Sequence, residues 1–244
     1  MRYFDYRFWN LKVPASISCL ALLGGTTALA QDFSNNPSTG LQSDRTIQFT
    51  APATPIATVG GGVRGSESDA IVFTVLAPEQ VGLTTQAQPT LCWYQSASAE
   101  SMAFELTLNL DDETILEQTL SQASNSGIQK LDLAASDITF KPEVYYEWII
   151  ALIPDPNDRA QDIISSTLIQ RVPVTDTLGK ALQAADDQQY ASVYANEGIW
   201  YDALASLETA IEATPDNEKL QLDRIALFEQ AGLKKVVECE RQGH

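Results

Sequence analysis

The chain is poor in histidine and in basic residues, and both shortages limit what it can do. Its only histidine is His244, the last residue. The body of the chain therefore supplies no histidine for a Ser-His-Asp triad or for the usual His-based zinc sites. The 15 lysine and arginine residues face 32 aspartate and glutamate residues, which makes the formal net charge −17. This acidity argues against partners such as nucleic acid or anionic membrane surfaces, which need a basic face.

Cysteine is scarce as well, with Cys19 near the N-terminus and only Cys92 and Cys239 beyond it. An exported protein can oxidise such a pair, and a bridge that closes so long a loop contributes about 4–5 kcal/mol in the chain-entropy model. The sequence leaves a Cys92–Cys239 bridge and two free thiols both open. Cys92 precedes an aromatic residue, as a papain-type nucleophile does, but it has no histidine to generate the thiolate. We therefore expect no catalytic cysteine.

Long apolar runs are missing after the N-terminal segment. That segment begins with the basic residues Arg2, Arg7 and Lys12, continues as a largely apolar stretch from Val13, and ends in Ala-Leu-Ala at Ala30. These features predict a signal peptide over residues 1–30, cleaved after Ala30, and export to the periplasm or the extracellular space. No later stretch is long and apolar enough to span a bilayer, so we expect no membrane insertion after cleavage.

Residues 31–68 are rich in Ser, Asn, Thr, Pro and Gly and show no hydrophobic period, which predicts a disordered arm. Gly60, Gly62 and Gly65 have the G-x-G-x-x-G spacing of a dinucleotide-binding loop. In that loop the glycines open a helix, but here the pattern that follows is that of a strand. We interpret the glycines as a flexible hinge and expect no nucleotide cofactor.

Residues 69–175 alternate between apolar and polar side chains, and turn residues separate the alternating segments. The segment 102–111 shows the alternation most clearly, and its residues Phe104, Leu106 and Leu108 should point inward. The pattern predicts an antiparallel, immunoglobulin-like β-sandwich of about seven strands. The predicted strands are Ile71–Leu76, Thr90–Gln95, 102–111, Thr114–Leu120, Ile128–Leu133, Tyr145–Leu152 and Ile163–Val172.

After residue 178 the period changes to about 3.6, which predicts three helices at Leu178–Tyr194, Tyr201–Ala213 and Glu218–Ala231. The order of small and large residues over 184–217 resembles one tetratricopeptide repeat, so we predict a tetratricopeptide-like helical unit over 178–233. A single repeat leaves its apolar face wet, and we expect it to dock on the sandwich. Its outer face should be acidic, and a loose tail should follow over 234–244. The residues expected on that acidic face are Glu208, Glu212 and Asp216.

Two further groups are candidate ligand sites. The acidic loop at 155–162 offers Asp155, Asn157, Asp158 and Asp162 to a calcium ion, but it lacks the glycine and the distal glutamate of an EF-hand. Three tryptophans are candidates for a sugar platform, although their period-two or apolar surroundings favour the core. They are Trp93, Trp148 and Trp200. The sequence singles out no catalytic residue, no cofactor-binding residue and no metal ligand.

The order of several motifs resembles a cyanobacterial family, domain-of-unknown-function family 928. The resemblance covers about residues 53–233, and its most specific pieces are "LIQRV" at 168–172 and "GIWYDAL" at 198–204. The other pieces are "GGGVRG", "TLCWYQ", "AFELTL", "GIQKLDL" and "YYEWIIAL". The family has no established activity, so the resemblance implies an exported cyanobacterial protein and no reaction.

Three functions remain open on this sequence. The first is an exported, non-enzymatic protein with an interaction or structural role, with another envelope protein as a partner. The second is a carbohydrate- or calcium-binding module, and the third is a hydrolase that uses only carboxylates. The missing histidine and the order of sandwich and helices favour the first function.

Overall fold

The computed structural model describes residues 46–55, 60–61, 71–97, 102–120 and 125–242. These residues belong to one compact unit that spans residues 44–244. The strands β1–β9 are Gly60–Gly61, Phe73–Val75, Gly82–Thr84, Thr90–Gln95, Ala103–Leu110, Glu113–Leu120, Gly127–Asp132, Tyr145–Ile153 and Ile163–Arg171. The helices α1–α5 are Asp176–Ala184, Tyr190–Asn196, Trp200–Ala213, Glu218–Gln230 and Lys234–Gln242. The predicted signal peptide and His244 lie outside the described residues.

The strands form two sheets that pack as a sandwich-like pair. The larger sheet has the order β1-β9-β8-β5-β6, with β3 also paired to β9, and the smaller sheet has the order β2-β4-β7. Strand β3 runs parallel to β9, whereas the other strand pairs are antiparallel. The larger sheet is therefore mixed, which the prediction of an antiparallel sandwich did not include.

Strand β5 presents alternate residues to the space between the sheets. Phe104, Leu106 and Leu108 are fully buried, and the residues between them are partly exposed. The ring centroid of Phe104 lies 6.1 Å from that of Phe73 and 6.3 Å from that of Trp93, which both belong to the smaller sheet. The predicted inward register is confirmed, and these aromatic contacts join the two sheets.

All seven predicted strands are present, as β2 and β4–β9, but the predicted count was too low. The two additional strands are short, and β1 arises where a flexible hinge was expected. Gly60 and Gly61 pair with Ser166 and Ser165 on the edge of β9. Strand β3 lies beside the same edge further along β9. Strands of two or three residues leave almost no period in a sequence, which explains why the pattern missed them.

The first predicted helix, Leu178–Tyr194, was wrong as a single element, because α1 ends at Ala184 and α2 begins at Tyr190. A turn separates the two helices. Within it the Gln189 N–H donates to the Asp186 carbonyl at 2.9 Å and to the Asp186 carboxylate at 3.1 Å. Aspartate side chains compete with helical hydrogen bonds in this way, so the helix stops although the apolar period continues.

The predicted loose tail is also wrong, because residues 234–242 form helix α5. Val236 and Val237 of this helix are buried against the rest of the core. Its apolar residues are few and its charged residues are many, so the segment as a whole was too polar to indicate an element of the core. Within the described residues, no helix is long and apolar enough to cross a membrane.

The helices pack directly on the sandwich, which confirms the predicted docking. The Trp200 indole of α3 donates to the Leu76 carbonyl at 2.8 Å, and the Trp148 indole of β8 donates to the Tyr201 hydroxyl at 2.9 Å. All three aromatic side chains are fully or almost fully buried. Strands and helices thus share one hydrophobic core, and α3 is the helix that contacts the sheets most closely.

Part of the predicted disordered arm is folded onto the helices. The Ile47 N–H donates to the Asp223 carboxylate at 3.0 Å, and the Gln230 amide donates to the Ile47 carbonyl at 3.0 Å. The same Gln230 side chain accepts from the Phe49 N–H at 2.8 Å. Ile47 is buried, and Phe49 packs edge-on against Trp200 at 5.2 Å between centroids. These contacts depend on helix positions far away in the chain, so the local composition did not indicate them.

Candidate functional site

An open cleft lies along α3, between this helix, the turn before α2 and the end of β3. Its volume is about 570 Å³, which is within the usual range for ligand pockets. Helix α3 and its C-cap residue Thr214 contribute seven lining residues between Asp202 and Thr214, and Gln86 closes one side. At 1.5 Å per residue, this stretch of helix is about 18 Å long. The cleft therefore has the length of an extended segment of several residues.

Helix α3 has two faces with different roles. Its bulky residues, such as Leu204 and Leu207, are buried in the shared core. Its opposite face carries small residues at spacings of three and four, which leaves space beside the helix. Those lining the cleft are Ala205, Ser206, Thr209, Ala210 and Ala213. The cleft exists because this face has no bulky side chains.

Helix α2 provides the aromatic wall of the cleft. Tyr190 and Tyr194 are four residues apart, so they lie on the same side of the helix, and both are partly buried. Burial raises the pKa of the Tyr194 hydroxyl, and the negative charge of Asp202 raises it further. The Tyr194 side chain also shares a hydrogen bond with Thr85. This tyrosine therefore stays neutral at physiological pH and retains its hydroxyl proton.

Asp202 borders the cleft at the first turn of α3 and is 5% exposed. Its carboxylate accepts hydrogen bonds from the Thr84 hydroxyl at 2.6 Å, from the Thr85 N–H at 3.1 Å and from the Gln86 amide at 3.2 Å. The Thr85 hydroxyl donates to it as well. All these donors are neutral, and Asp202 lies in the first turn of α3, where the helix dipole is positive. They hold the side chain in place and leave its negative charge unpaired by any cation of the described residues.

The other buried acids of α3 and α4 differ from Asp202 because each faces a cation. Glu208 lies 3.5 Å from an Arg224 nitrogen, and Arg224 also pairs with Glu240 at 2.5 Å. Asp223 pairs with Lys219 at 2.6 Å. Burial raises the pKa of Glu208, although the charge of Arg224 opposes this shift. Glu208 was predicted on an exposed acidic face, and its burial corrects that prediction.

In the described part of the chain, no group of three acidic, cysteine or histidine residues could hold a metal ion, so no ligand cluster supports the calcium alternative. In the loop at 155–162, the Asp155 carboxylate accepts from the Asn157 N–H at 2.8 Å. Asp162 is buried and pairs with Arg159 at 2.6 Å. Arg159 in turn reaches Glu105 at 2.8 Å. The carboxylates of this loop are therefore used within the fold.

The three tryptophans that the sequence offers as a sugar platform are core residues, because Trp93, Trp148 and Trp200 are all at most 4% exposed. Cys92 is buried in β4 as a free thiol, and Cys239 of α5 is partly buried and also free. Burial raises the pKa of the Cys92 thiol, and the charge of Glu208 adds to this effect. A protonated, buried thiol is unreactive, and Cys92 is part of the hydrophobic core.

The cleft residues were not identified from the sequence. The stripe of small residues on α3 was visible in it, but such a stripe is also the ordinary signature of close helix packing. Tyr190 and Tyr194 fit the order of large residues in a tetratricopeptide repeat, which indicates packing and not a cleft. Gln86 and Asp202 are 116 residues apart in the chain, and no local pattern could bring them together.

Comparison with known proteins now places the chain in a family. A search of curated proteins finds no match. A family profile described as Domain of Unknown Function (DUF928) matches residues 59–240, which include all five helices except the last two residues of α5 and every strand. This match covers well over half of the chain and agrees with the resemblance noted from its motifs. The chain belongs to the DUF928 family.

Proposed function

We propose that this chain is an exported, non-enzymatic binding protein of the cyanobacterial periplasm or cell envelope, and that it recognises another protein through the cleft on α3. The observation that carries the proposal is the open cleft itself, with its aromatic wall on α2 and its polar end at Asp202. The helical layer already holds one extended segment, since the Gln230 amide brackets the backbone around Gln48. Recognition of a second, foreign segment uses the same chemistry.

The strand order supports a closer assignment of the sandwich. In immunoglobulin-type domains one sheet contains strands A, B and E, and the other contains C, F and G, with an added C′ strand in the variable type. Taking β2, β4 and β7 as A, B and E leaves β6-β5-β8-β9 as C′-C-F-G. The short β3 follows A and pairs in parallel with the last strand. We propose an immunoglobulin-like topology on this basis.

The helices support a tetratricopeptide-like assignment in the same way. Helices α2 and α3 pack as one pair, and α4 and α5 pack as the next, with the turn at Pro215 between the pairs. Gly198, in the turn between α2 and α3, has a φ of +74°, and Gly232 between α4 and α5 has a φ of +82°. The two pairs thus repeat the same turn geometry at a spacing of 34 residues, which is the length of a tetratricopeptide repeat.

A site-specific crosslink tests the proposed function. A photo-crosslinking amino acid at Thr209, which is exposed and lines the cleft, should capture one defined protein in cells. The same group at Glu117, exposed on β6, is the matched control and should not capture that protein. Ala213→Trp fills the cleft from its exposed end and should abolish the Thr209 crosslink. Equal capture at both positions, or capture that survives the filled cleft, contradicts the proposal.

Export has its own test, which does not depend on the cleft. The mature protein should begin at Gln31, because the signal peptidase cleaves after the Ala-Leu-Ala sequence. Intact-mass measurement of the secreted protein checks this, and replacing Ala28 and Ala30 by leucine should block processing. A secreted protein that retains residues 1–30 would show that the export prediction is wrong.

A further inference from the structure

The cleft beside α3 carries negative charge and no positive charge of its own. Its charged lining residues are Asp187, which is exposed at the rim, and Asp202, which is buried at one end. No lysine, arginine or histidine lines it. The electrostatic potential in such a concave site is strengthened, because its low-dielectric walls focus the field.

Asp202 differs from the other buried acids of the described residues. Four acidic residues are buried, and Asp162, Glu208 and Asp223 each have an arginine or lysine within 4 Å. Asp202 has only neutral hydrogen-bond donors. Buried charges in proteins are usually paired with an opposite charge. Asp202 is the member of this set without such a partner, and it borders the open cleft.

We infer that the cleft binds the cationic side chain of a lysine or arginine in an extended segment of the partner protein. This inference rests on the proposed function. The positive charge lies at the Asp202 end, and it complements the carboxylate that the fold leaves without a cation. The aliphatic part of the side chain packs on the small residues of α3, as the stems of lysine and arginine do on apolar surfaces.

The tyrosines of α2 support the same ligand. Tyr190 and Tyr194 are aromatic groups on the wall beside Asp202. A cation within about 6 Å of an aromatic ring centre is attracted by the electrons of the ring face. Acidic and aromatic groups in one concave site favour a cation over a neutral or an anionic ligand. An anionic ligand, such as a phosphate, faces two carboxylates and no counter-charge.

Calorimetric titration of the secreted protein with three short peptides tests the inference. The probes are acetyl-Gly-Ala-X-Ala-Gly-amide, where X is lysine, arginine or norleucine, and norleucine keeps the aliphatic stem of lysine without its charge. We expect the lysine and arginine peptides to bind at least about tenfold more tightly than the norleucine peptide. Raising the ionic strength should reduce this preference, because salt screens the exposed part of the site.

Two variants link the preference to named charges. Asp187→Asn, at the exposed rim, should lower the affinity for the lysine peptide about threefold, and Asp202→Asn should lower it about tenfold. Asp216→Asn removes one exposed negative charge outside the cleft and should leave the affinity unchanged. If Asp202→Asn does not fold, the Asp187 variant and the norleucine peptide still decide the question. Unchanged affinity in the folded acidic variants, or equal binding of the norleucine peptide, overturns the inference.

Failure of the inference and failure of the proposed function give different results. If Thr209 crosslinks to a protein but the charged peptides bind no more tightly than the norleucine peptide, protein recognition is supported and the cationic ligand is overturned. If the charged peptides bind more tightly but Thr209 captures no protein, the cationic ligand is supported and protein recognition is contradicted. Butylamine carries the same ammonium group without a peptide. Binding of butylamine as tight as that of the lysine peptide overturns the partner's side chain as the source of the cation.

Discussion

Gly198 shows how much a single residue decides in this fold. Its φ of +74° lies in the left-handed region, which side chains other than glycine rarely adopt, and it makes the turn from α2 to α3. A Cβ at this position would lie 2.6 Å from the Thr50 carbonyl oxygen. Thr50 in turn donates its N–H to the Ala195 carbonyl at 3.0 Å. The glycine therefore allows both the turn and the close approach of the segment 46–55.

Replacing this glycine separates the two effects. Gly127 also has a positive φ, of +105°, but a Cβ there meets no atom within 4 Å. Gly127→Ala should lower the free energy of unfolding by about 1–2 kcal/mol, from backbone strain alone. Gly198→Ala should lower it by about 2–5 kcal/mol, because the clash with backbone is added to the strain. Urea unfolding measures both free energies. An equal loss of unfolding free energy in the two variants would show that a side chain at position 198 does not clash with the segment 46–55.

Glu208 predicts a pH dependence of stability. Burial raises its pKa, so the native state holds the proton more tightly than the unfolded state does. Its contribution to stability is then greatest below the usual glutamate pKa and decreases as the pH rises through the higher native value. Glu208→Gln removes this titration. The stability of the native protein relative to this variant should therefore decrease from acidic to neutral pH.

Urea unfolding of both proteins from pH 4 to pH 8 measures the difference. Leu106→Ala is the control, because it changes no titratable group and its loss of stability should stay constant with pH. If the stability of the unsubstituted protein relative to Glu208→Gln instead increases with pH, the attraction of Arg224 outweighs the effect of burial on the Glu208 pKa.

At the scale of elements, β5 and its hairpin with β6 follow directly from the sequence. Asp111 and Asp112 both have positive φ values, of 49° and 65°, as the central residues of a type I′ turn require. Strict alternation then places Phe104, Leu106 and Leu108 on one side. Alternation and turn residues are local signals, so they were sufficient here.

Leu106→Ala tests this strand. Leu106 is fully buried between the sheets, and its truncation should cost about 2–5 kcal/mol of unfolding free energy through the cavity it leaves. Glu117→Ala on the exposed side of the neighbouring strand β6 is the control and should change stability by less than about 0.5 kcal/mol. Equal effects in denaturant melts would contradict the register of the hairpin.

Helix α3 shows what local signals leave out. Its apolar period predicted a helix at Tyr201–Ala213, which agrees with the observed helix to within one residue. The same period does not predict that the Tyr201 hydroxyl accepts a hydrogen bond from Trp148 of the sandwich or that Glu208 pairs with Arg224. Both contacts join residues from separate elements, and such pairings depend on how the layers stack.

At the scale of the whole molecule, sheets and helices share one core, and neither layer covers its apolar surface alone. A fragment of residues 176–242 would expose Trp200, Tyr201 and Leu204, which are almost fully buried in the whole protein. We therefore expect it to be mostly unfolded when it is expressed alone. Far-UV circular dichroism with thermal melting measures this, and residues 44–244 should give a single cooperative transition as the control. A cooperative melt of the fragment would instead show an autonomous helical module.

The sequence by itself determined the classes of element and their order, because hydrophobic period and turn residues act over a few neighbouring positions. It also identified the family resemblance, the buried strand β5 and the helix α3. The tertiary structure alone decided that α5 is ordered, that residues 46–55 lie on the helices, and that Gln86, Tyr194 and Asp202 meet at one cleft. These features depend on contacts between residues far apart in the chain. Their energies come from burial and hydrogen bonds that exist only after the layers have packed.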